Sequence, residues 1–159
     1  MRPRIGWIVG VLLLCALCAS AQDFRKVTWG MSVDDVTSAE SDLEFAQQDS
    51  ASGTVLSARV YVMARTGTLN YVFENGKLVI GQYRFDDEDD MGVFKEILGV
   101  LKKKYGAASS SGATYSRWKT ARTYVSLSFK DDVCRVDYAD PSWVAAATDK
   151  QKAQNDSLF

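Results

Sequence analysis

In the run YVFENGKLVIGQYRF, residues 71–85, an Asn-Gly pair divides two stretches in which apolar residues alternate with others. A type I′ turn needs positive φ at both central residues, and Asn-Gly adopts that geometry at little steric cost. Asn75-Gly76 therefore predicts a two-residue β-hairpin. Upstream, TVLSARVYVMA places Leu56, Ala58, Val60 and Val62 on one face of a strand and Ser57, Arg59 and Tyr61 on the other, the period-two pattern of a half-buried strand. With a break expected at Thr66-Gly67, and the polar patch Gln47 to Gly53 as the opening of the segment, this region reads as a three-stranded antiparallel meander.

Helical signals flank the meander. Ser32 is placed to cap a helix beginning at Val33, with Asp34 and Asp35 in the first turn, where carboxylates favour the positive end of the helix dipole. Met31 and Val36 bracket that start like a hydrophobic staple, and the helix is expected to end by Glu40. In Asp86 to Gly106, Phe94, Ile97, Leu98, Leu101 and Tyr105 form one apolar stripe. Acids crowd its start, Lys102, Lys103 and Lys104 its end, and Gly106 suits the position after the last turn.

After the small-residue loop Ala107 to Gly112, alternation returns in ATYSRWKT, TYVSLSF and VCRVDYA, the last two joined at Asp131-Asp132. Asp140-Pro141-Ser142 then breaks the sheet and starts a final helix through Trp143 and Ala145 to Ala147, followed by a polar tail from Thr148. Residues 32–85 and 91–138 share one grammar of helix and three strands. YVFENGKLVIGQY against LSFKDDVCRVDY aligns Phe73 with Phe129, Asn75-Gly76 with Asp131-Asp132 and, after one gap, Tyr83 with Tyr138. Tandem duplication and two ordinary meanders both produce such a pattern. Either way the expected fold is α+β: an antiparallel sheet with helices packed on one face.

Arg2, Arg4, the apolar run Ile8 to Leu17 and Ala19-Ser20-Ala21 have the order of a secretory leader cleaved after Ala21. A retained anchor would need about 18–20 apolar residues, and Leu14 and Leu17 stand where a lipoprotein would carry a small residue before Cys15 or Cys18. The expected organisation is a signal peptide over 1–21, one α+β domain over 22–140 divisible into halves 24–85 and 86–140, and a C-terminal helix and tail over 141–159. Export to the periplasm or beyond follows from the leader. The processed chain carries 17 basic and 20 acidic residues, which offers no basic patch to nucleic acid and supports no more than peripheral membrane association.

The chain contains no histidine, so Ser-His-Asp, Cys-His and histidine-based zinc chemistry are all excluded. The acid run Asp86 to Asp90 fails the EF-hand pattern, because Met91 stands where its glycine belongs and Ile97 where its glutamate belongs. That run reads as a solvated helix start. Cys134 shares strand parity with Val136 and Tyr138 and is expected to be an inert buried thiol. No metal, cofactor or catalytic residue is expected.

WGMSVDDV at 29–36 and KKYG at 103–106 resemble small exported bacterial proteins whose hallmark is "WGMS" followed by an acidic pair and valine. Those proteins look related to the two-layer α/β folds of beta-lactamase-inhibitor-like proteins and the outer-membrane assembly lipoproteins of the SmpA/OmlA type. The resemblance implies a domain for protein contact in the cell envelope. On the residues themselves, aromatics at exposed parity and bordering arginines are expected to form a partner-binding sheet face: Tyr61, Tyr71, Tyr83, Trp118, Arg59 and Arg84. The expected function is a non-enzymatic envelope or extracellular protein-binding or assembly module. The alternatives are a carrier holding a lipid or other small apolar ligand between sheet and helices, and a hydrolase using Asp131, Asp132 and Asp137.

Overall fold

The computed structural model describes residues 22–86 and 90–156. The expected leader, three residues of the acid run (87–89) and residues 157–159 lie outside the described residues. The chain runs α1 (Val33–Ala39), β1 (Ala46–Ser50), β2 (Gly53–Val62), β3 (Arg65–Glu74), β4 (Lys77–Phe85), α2 (Asp90–Tyr105), β5 (Ser110–Ser111), β6 (Tyr115–Lys119), β7 (Tyr124–Lys130), β8 (Val133–Ala139) and α3 (Pro141–Asp156). All strands join one eight-stranded antiparallel sheet in the order β1-β2-β3-β4-β8-β7-β6-β5. Each half is a meander whose last strand, β4 or β8, pairs with the other's, so the sheet is continuous across a central seam.

The helix signals act as their chemistry predicts. Ser32 Oγ accepts from the Asp35 amide at 3.2 Å, and Asp35 Oδ2 accepts from the Ser32 amide at 3.1 Å, closing a capping box. Val36, the buried residue of α1, faces the core. Gly106 has φ 78° and donates to the Lys102 carbonyl, which ends α2 after the three lysines of its last turn. The final helix runs on to Asp156, well past the expected break at Thr148, even though its residues are mostly exposed.

Three strand expectations change. The Gln47 to Gly53 patch holds all but the first residue of edge strand β1; all five residues of the strand are exposed, and a strand wet on both faces carries no alternation. Likewise the two-residue β5 lies in the expected loop Ala107 to Gly112. The turn expected at Thr66-Gly67 lies at Met63-Ala64, where both residues take positive φ (53° and 59°) without glycine or asparagine. Gly67 sits inside β3 for a packing reason: a Cβ there would lie 2.8 Å from the Phe85 ring.

The two hairpin turns match. Asn75 and Gly76 (φ 52° and 73°) and Asp131 and Asp132 (φ 50° and 58°) all take left-handed conformations. The single gap between the halves has a structural cause, a β-bulge. Val72 pairs with Ile80 and Phe73 with Leu78, so Val79 is an extra residue in β4, whereas Ser128 and Phe129 pair in uninterrupted register with Arg135 and Cys134.

Helices α1 and α2 cover one face of the sheet. Over the first half lie Leu56, Leu69, Tyr71, Phe73 and Leu78, packed with Val36; over the second, Trp118, Val125, Leu127, Cys134 and Val136 pack under Phe94, Ile97 and Leu101. Tyr83 and Tyr138 touch both clusters. Above that junction the segment before α1 doubles back between Phe24 and Val27, and Phe24 inserts against Tyr71, Tyr83 and Tyr138 with ring centroids 5.7, 5.4 and 4.8 Å away. A Cβ on Gly81 would overlap the Phe24 ring, so the missing side chain in β4 is the seat for the aromatic. Next to it, Glu40 is fully buried and accepts from Arg25 Nε (2.8 Å), Arg25 Nη2 (2.9 Å) and Tyr71 Oη (2.6 Å). Burial drives the Glu40 carboxyl upward, but these hydrogen bonds prevail and hold its pKa below the ordinary glutamate value.

The motif WGMS fastens this segment to β4. Gly30 donates to the Leu78 carbonyl and Met31 accepts from the Leu78 amide, both at 2.9 Å. These bonds continue the β4 edge where β8 has already turned away into α3. Trp29 is partly buried against the first-half core, and its indole N–H donates to the Arg122 carbonyl at 2.9 Å.

Two measurements test this clamp. Gly81→Ala is expected to lower unfolding free energy by about 3 kcal/mol, because overpacking has no room to relax. In a Phe24→Ala background the same change should cost less than about 1 kcal/mol, and denaturant titration of the four-protein cycle measures the coupling. Glu40→Gln should destabilise by about 3–5 kcal/mol near neutral pH, since Arg25 loses its charged partner in a buried site. Because the folded pKa of Glu40 is depressed, that contribution is present above the unfolded glutamate value of about 4.3 and fades as pH falls through the folded value.

Candidate functional site: the open face of the sheet

Strand parity sends alternate residues to the face opposite α1 and α2. Successive pairings place them in rows across the strands. One row runs Ser57, Asn70, Gln82, Asp137, Ser126, Arg117; the next runs Arg59, Thr68, Arg84, Arg135, Ser128, Tyr115. The first is a chain of hydrogen bonds. Ser57 Oγ donates to Asn70 Oδ1 (2.8 Å), Asn70 Nδ2 to Gln82 Oε1 (2.9 Å), and Gln82 Nε2 to Asp137 Oδ1 (2.7 Å), while Arg135 Nε pairs with Asp137 Oδ2 at 3.1 Å. Each amide uses both its ends, so the row is ordered across four strands.

In the second row Arg84 and Arg135 stand directly opposite each other on β4 and β8. Like charges in that position repel. Each is held through Nε by an acid two residues further along the chain, Arg84 by Asp86 just past the end of β4 at 2.7 Å and Arg135 by Asp137 within β8. Arg59 faces solvent on the same row, and Arg117 stacks over the Tyr115 ring at 5.1 Å. A depression of about 590 Å³ lies here, lined by Gln82, Arg84, Ser128, Lys130, Asp131, Val133 and Arg135.

At the other end of the seam, α3 begins. Asp140 caps it by accepting from the Ser142 amide at 2.8 Å, and Trp143 Nε1 donates to Glu74 Oε2 at 2.5 Å, which pins the first turn beside the open face. Trp143 and Val144 line a second, more apolar depression with Ile80, Tyr124, Ala139 and Asp137, and it shares Gln82 and Arg135 with the first. One helix thus stands beside the face expected to be bare.

Of the residues expected to form an exposed aromatic face, Tyr61 is 75% exposed, and Arg59 and Arg84 are also exposed on this side. Tyr71, Tyr83 and Trp118 are not on it. Tyr71 is fully buried under α1 with its hydroxyl on Glu40, Tyr83 packs under Phe24, and Trp118, 2% exposed, donates to the Gly106 carbonyl at 3.1 Å. Alternation assigns residues to two sides of a strand, but which side is covered depends on where the helices land. Of the seam residues, Asp137 is expected only as a hydrolase acid, and Gln82 and Arg135, with Trp143, are not among the expected site residues. Arg135 and Asp137 had a usable signal in alternating with Cys134, Val136 and Tyr138, but the pairing of β4 with β8 is nonlocal.

As for acid chemistry, Asp131 is largely exposed at its turn, and Asp137 faces Gln82 and Arg135 with no second acid between them. Burial raises the Asp137 pKa against the opposing hydrogen bond from Gln82 and the charge of Arg135. Among the described residues no group of three or more acids, cysteines or histidines is placed to hold a metal, and no helix is long and apolar enough to cross a membrane. Comparison with family models, curated proteins and solved structures found no match to this chain.

Asp137→Asn is expected to raise stability by up to about 1 kcal/mol at neutral pH, because the neutral amide keeps the acceptor for Gln82 and removing a desolvated charge outweighs the lost pairing with the half-exposed Arg135. The native acid is raised on folding, so it penalises the fold only above the unfolded aspartate value near 3.9; the variant's advantage should vanish below it. Thermal unfolding of both proteins across that range measures the difference.

Proposed function

We propose that this chain is a non-enzymatic exported module that binds a protein partner in the cell envelope or outside the cell through the open face of its sheet. The observation that carries the reading is the ordered cross-strand polar row beside the opposed arginines Arg84 and Arg135. A surface whose side chains are held before contact loses less conformational entropy on binding than a mobile one. Its chemistry is also that of contact surfaces, with Tyr61 exposed and arginines presented in a row. The leader-like N-terminus and the likeness of WGMSVDDV to exported bacterial proteins support the compartment. The covered interior argues against the carrier reading where it is described, because Phe24, Tyr71, Phe73, Tyr83 and Tyr138 occupy the space between sheet and helices.

A photo-crosslinking residue at Tyr61, on the open face, should yield a discrete adduct in cells that export the protein. The same residue at Val100, 48% exposed on α2, should not. Arg84→Glu should abolish the Tyr61 adduct while leaving export and unfolding temperature unchanged. Adducts from both positions, or from neither, would sink the reading.

A further inference from the structure

The two depressions on the open face are one trough. Both are lined by Gln82 and Arg135, so they meet on the β4–β8 seam. Along β4 the lining changes from Ile80 to Gln82 to Arg84, and along β8 from Ala139 to Asp137 to Arg135. Four residue steps at about 3.3 Å each make the trough roughly 13 Å long. Its two ends differ in chemistry. At one, Trp143 and Val144 of α3 stand over Ile80, Ala139 and Tyr124. At the other, Arg84 and Arg135 oppose each other across about 5 Å, with Lys130 at the rim.

Among the described residues, the acids at the cationic end do not use up its donors. Asp86 and Asp137 each take an Nε, and Asp131 pairs with Lys130 only at 3.8 Å with both side chains 84% exposed. The terminal guanidinium nitrogens of Arg84 and Arg135 hold no hydrogen bond among the described residues. A carboxylate seated between them would take a donor from each and remove the repulsion between two like charges in register.

We infer that the seam trough binds an extended acidic segment of a protein partner, with an apolar side chain against Trp143 and Val144 and a carboxylate about 13 Å away between Arg84 and Arg135. This rests on the protein-binding reading and adds the partner's chemistry and direction. An extended peptide covers the trough in four or five residues, and the seam side chains that would meet it are already ordered by Gln82 and Asp137.

The probe is an N-acetylated, C-amidated pentapeptide with leucine at its first position and glutamate at its last two, titrated into the folded protein and followed by amide NMR shifts. Shifts should appear at Gln82, Arg84, Arg135 and Asp137, weaken with added salt, and lose about tenfold or more in affinity on Arg135→Glu or on replacing the peptide glutamates by glutamine. Trp143→Ala should weaken the peptide without altering its salt dependence. Failure of the seam amides to move at millimolar peptide, or movement that survives Arg135→Glu, would overturn the assignment. So would anionic phospholipid vesicles shifting these amides where the peptide does not, since the trough would then be a lipid site. If Tyr61 still crosslinks to its partner in Arg135→Glu, the trough assignment alone falls and the binding module stands.

Discussion

The insertion of Phe24 over Gly81 is the contact on which the rest of the structure depends. It stands where the last strands of the two halves meet, and it touches Tyr71 and Tyr83 from one half and Tyr138 from the other. Neither half alone offers that pocket. A paired seam between two meanders is flat, and the bare backbone of Gly81 makes it concave where the ring sits. The Arg25–Glu40–Tyr71 group beside it then couples the end of α1 to the sheet. A buried carboxylate is costly unless its lone pairs are filled, and here an arginine fork and a phenol fill them.

Covering one face so completely has a consequence for the other. With α1, α2 and the Phe24 segment on one side, most of the large apolar residues of the central strands are committed there, and apart from Val72 and Ile80 near α3 the opposite side is left to residues that water or a partner can satisfy. Those residues are not scattered. The register that stacks Leu69, Tyr83 and Val136 in one covered row also stacks Arg59, Thr68, Arg84 and Arg135 on the open side. The cross-strand polar row and the opposed arginines therefore follow from the same pairing that builds the core. Core and candidate site are two faces of one register, and α3 adds a wall through Trp143 and Glu74.

Much of the local structure was legible in the residues. Ser32 with Asp35, Asn75-Gly76, Asp131-Asp132 and Gly106 each carry short-range chemistry that has few structural outcomes, and all four behave accordingly. The alignment of the halves showed a single gap between Gly76 and Tyr83, and the strand register placed the extra residue at Val79. Legibility failed where the signal is nonlocal. The edge strand Ala46–Ser50 is exposed on both faces and so carries no alternation, and the Met63-Ala64 turn uses residues without turn preference because the long β2–β3 register holds it closed. Tyr71, Tyr83 and Trp118 looked like a binding surface because aromatic side chains serve interfaces and cores equally well.

The sequence by itself determined the class of fold, an α+β chain with an antiparallel sheet, along with the hairpin turns, the caps and the exclusion of histidine chemistry. Those are properties of residues within a few positions of one another. Only the tertiary structure decided that β4 pairs with β8, that the segment ending in WGMS folds back onto this seam, and therefore which face is covered. Arg84 and Arg135 are about fifty residues apart in the chain and opposite each other in the sheet. No periodicity within either strand encodes that juxtaposition, because it depends on the free energy of closing the two halves on a shared aromatic core.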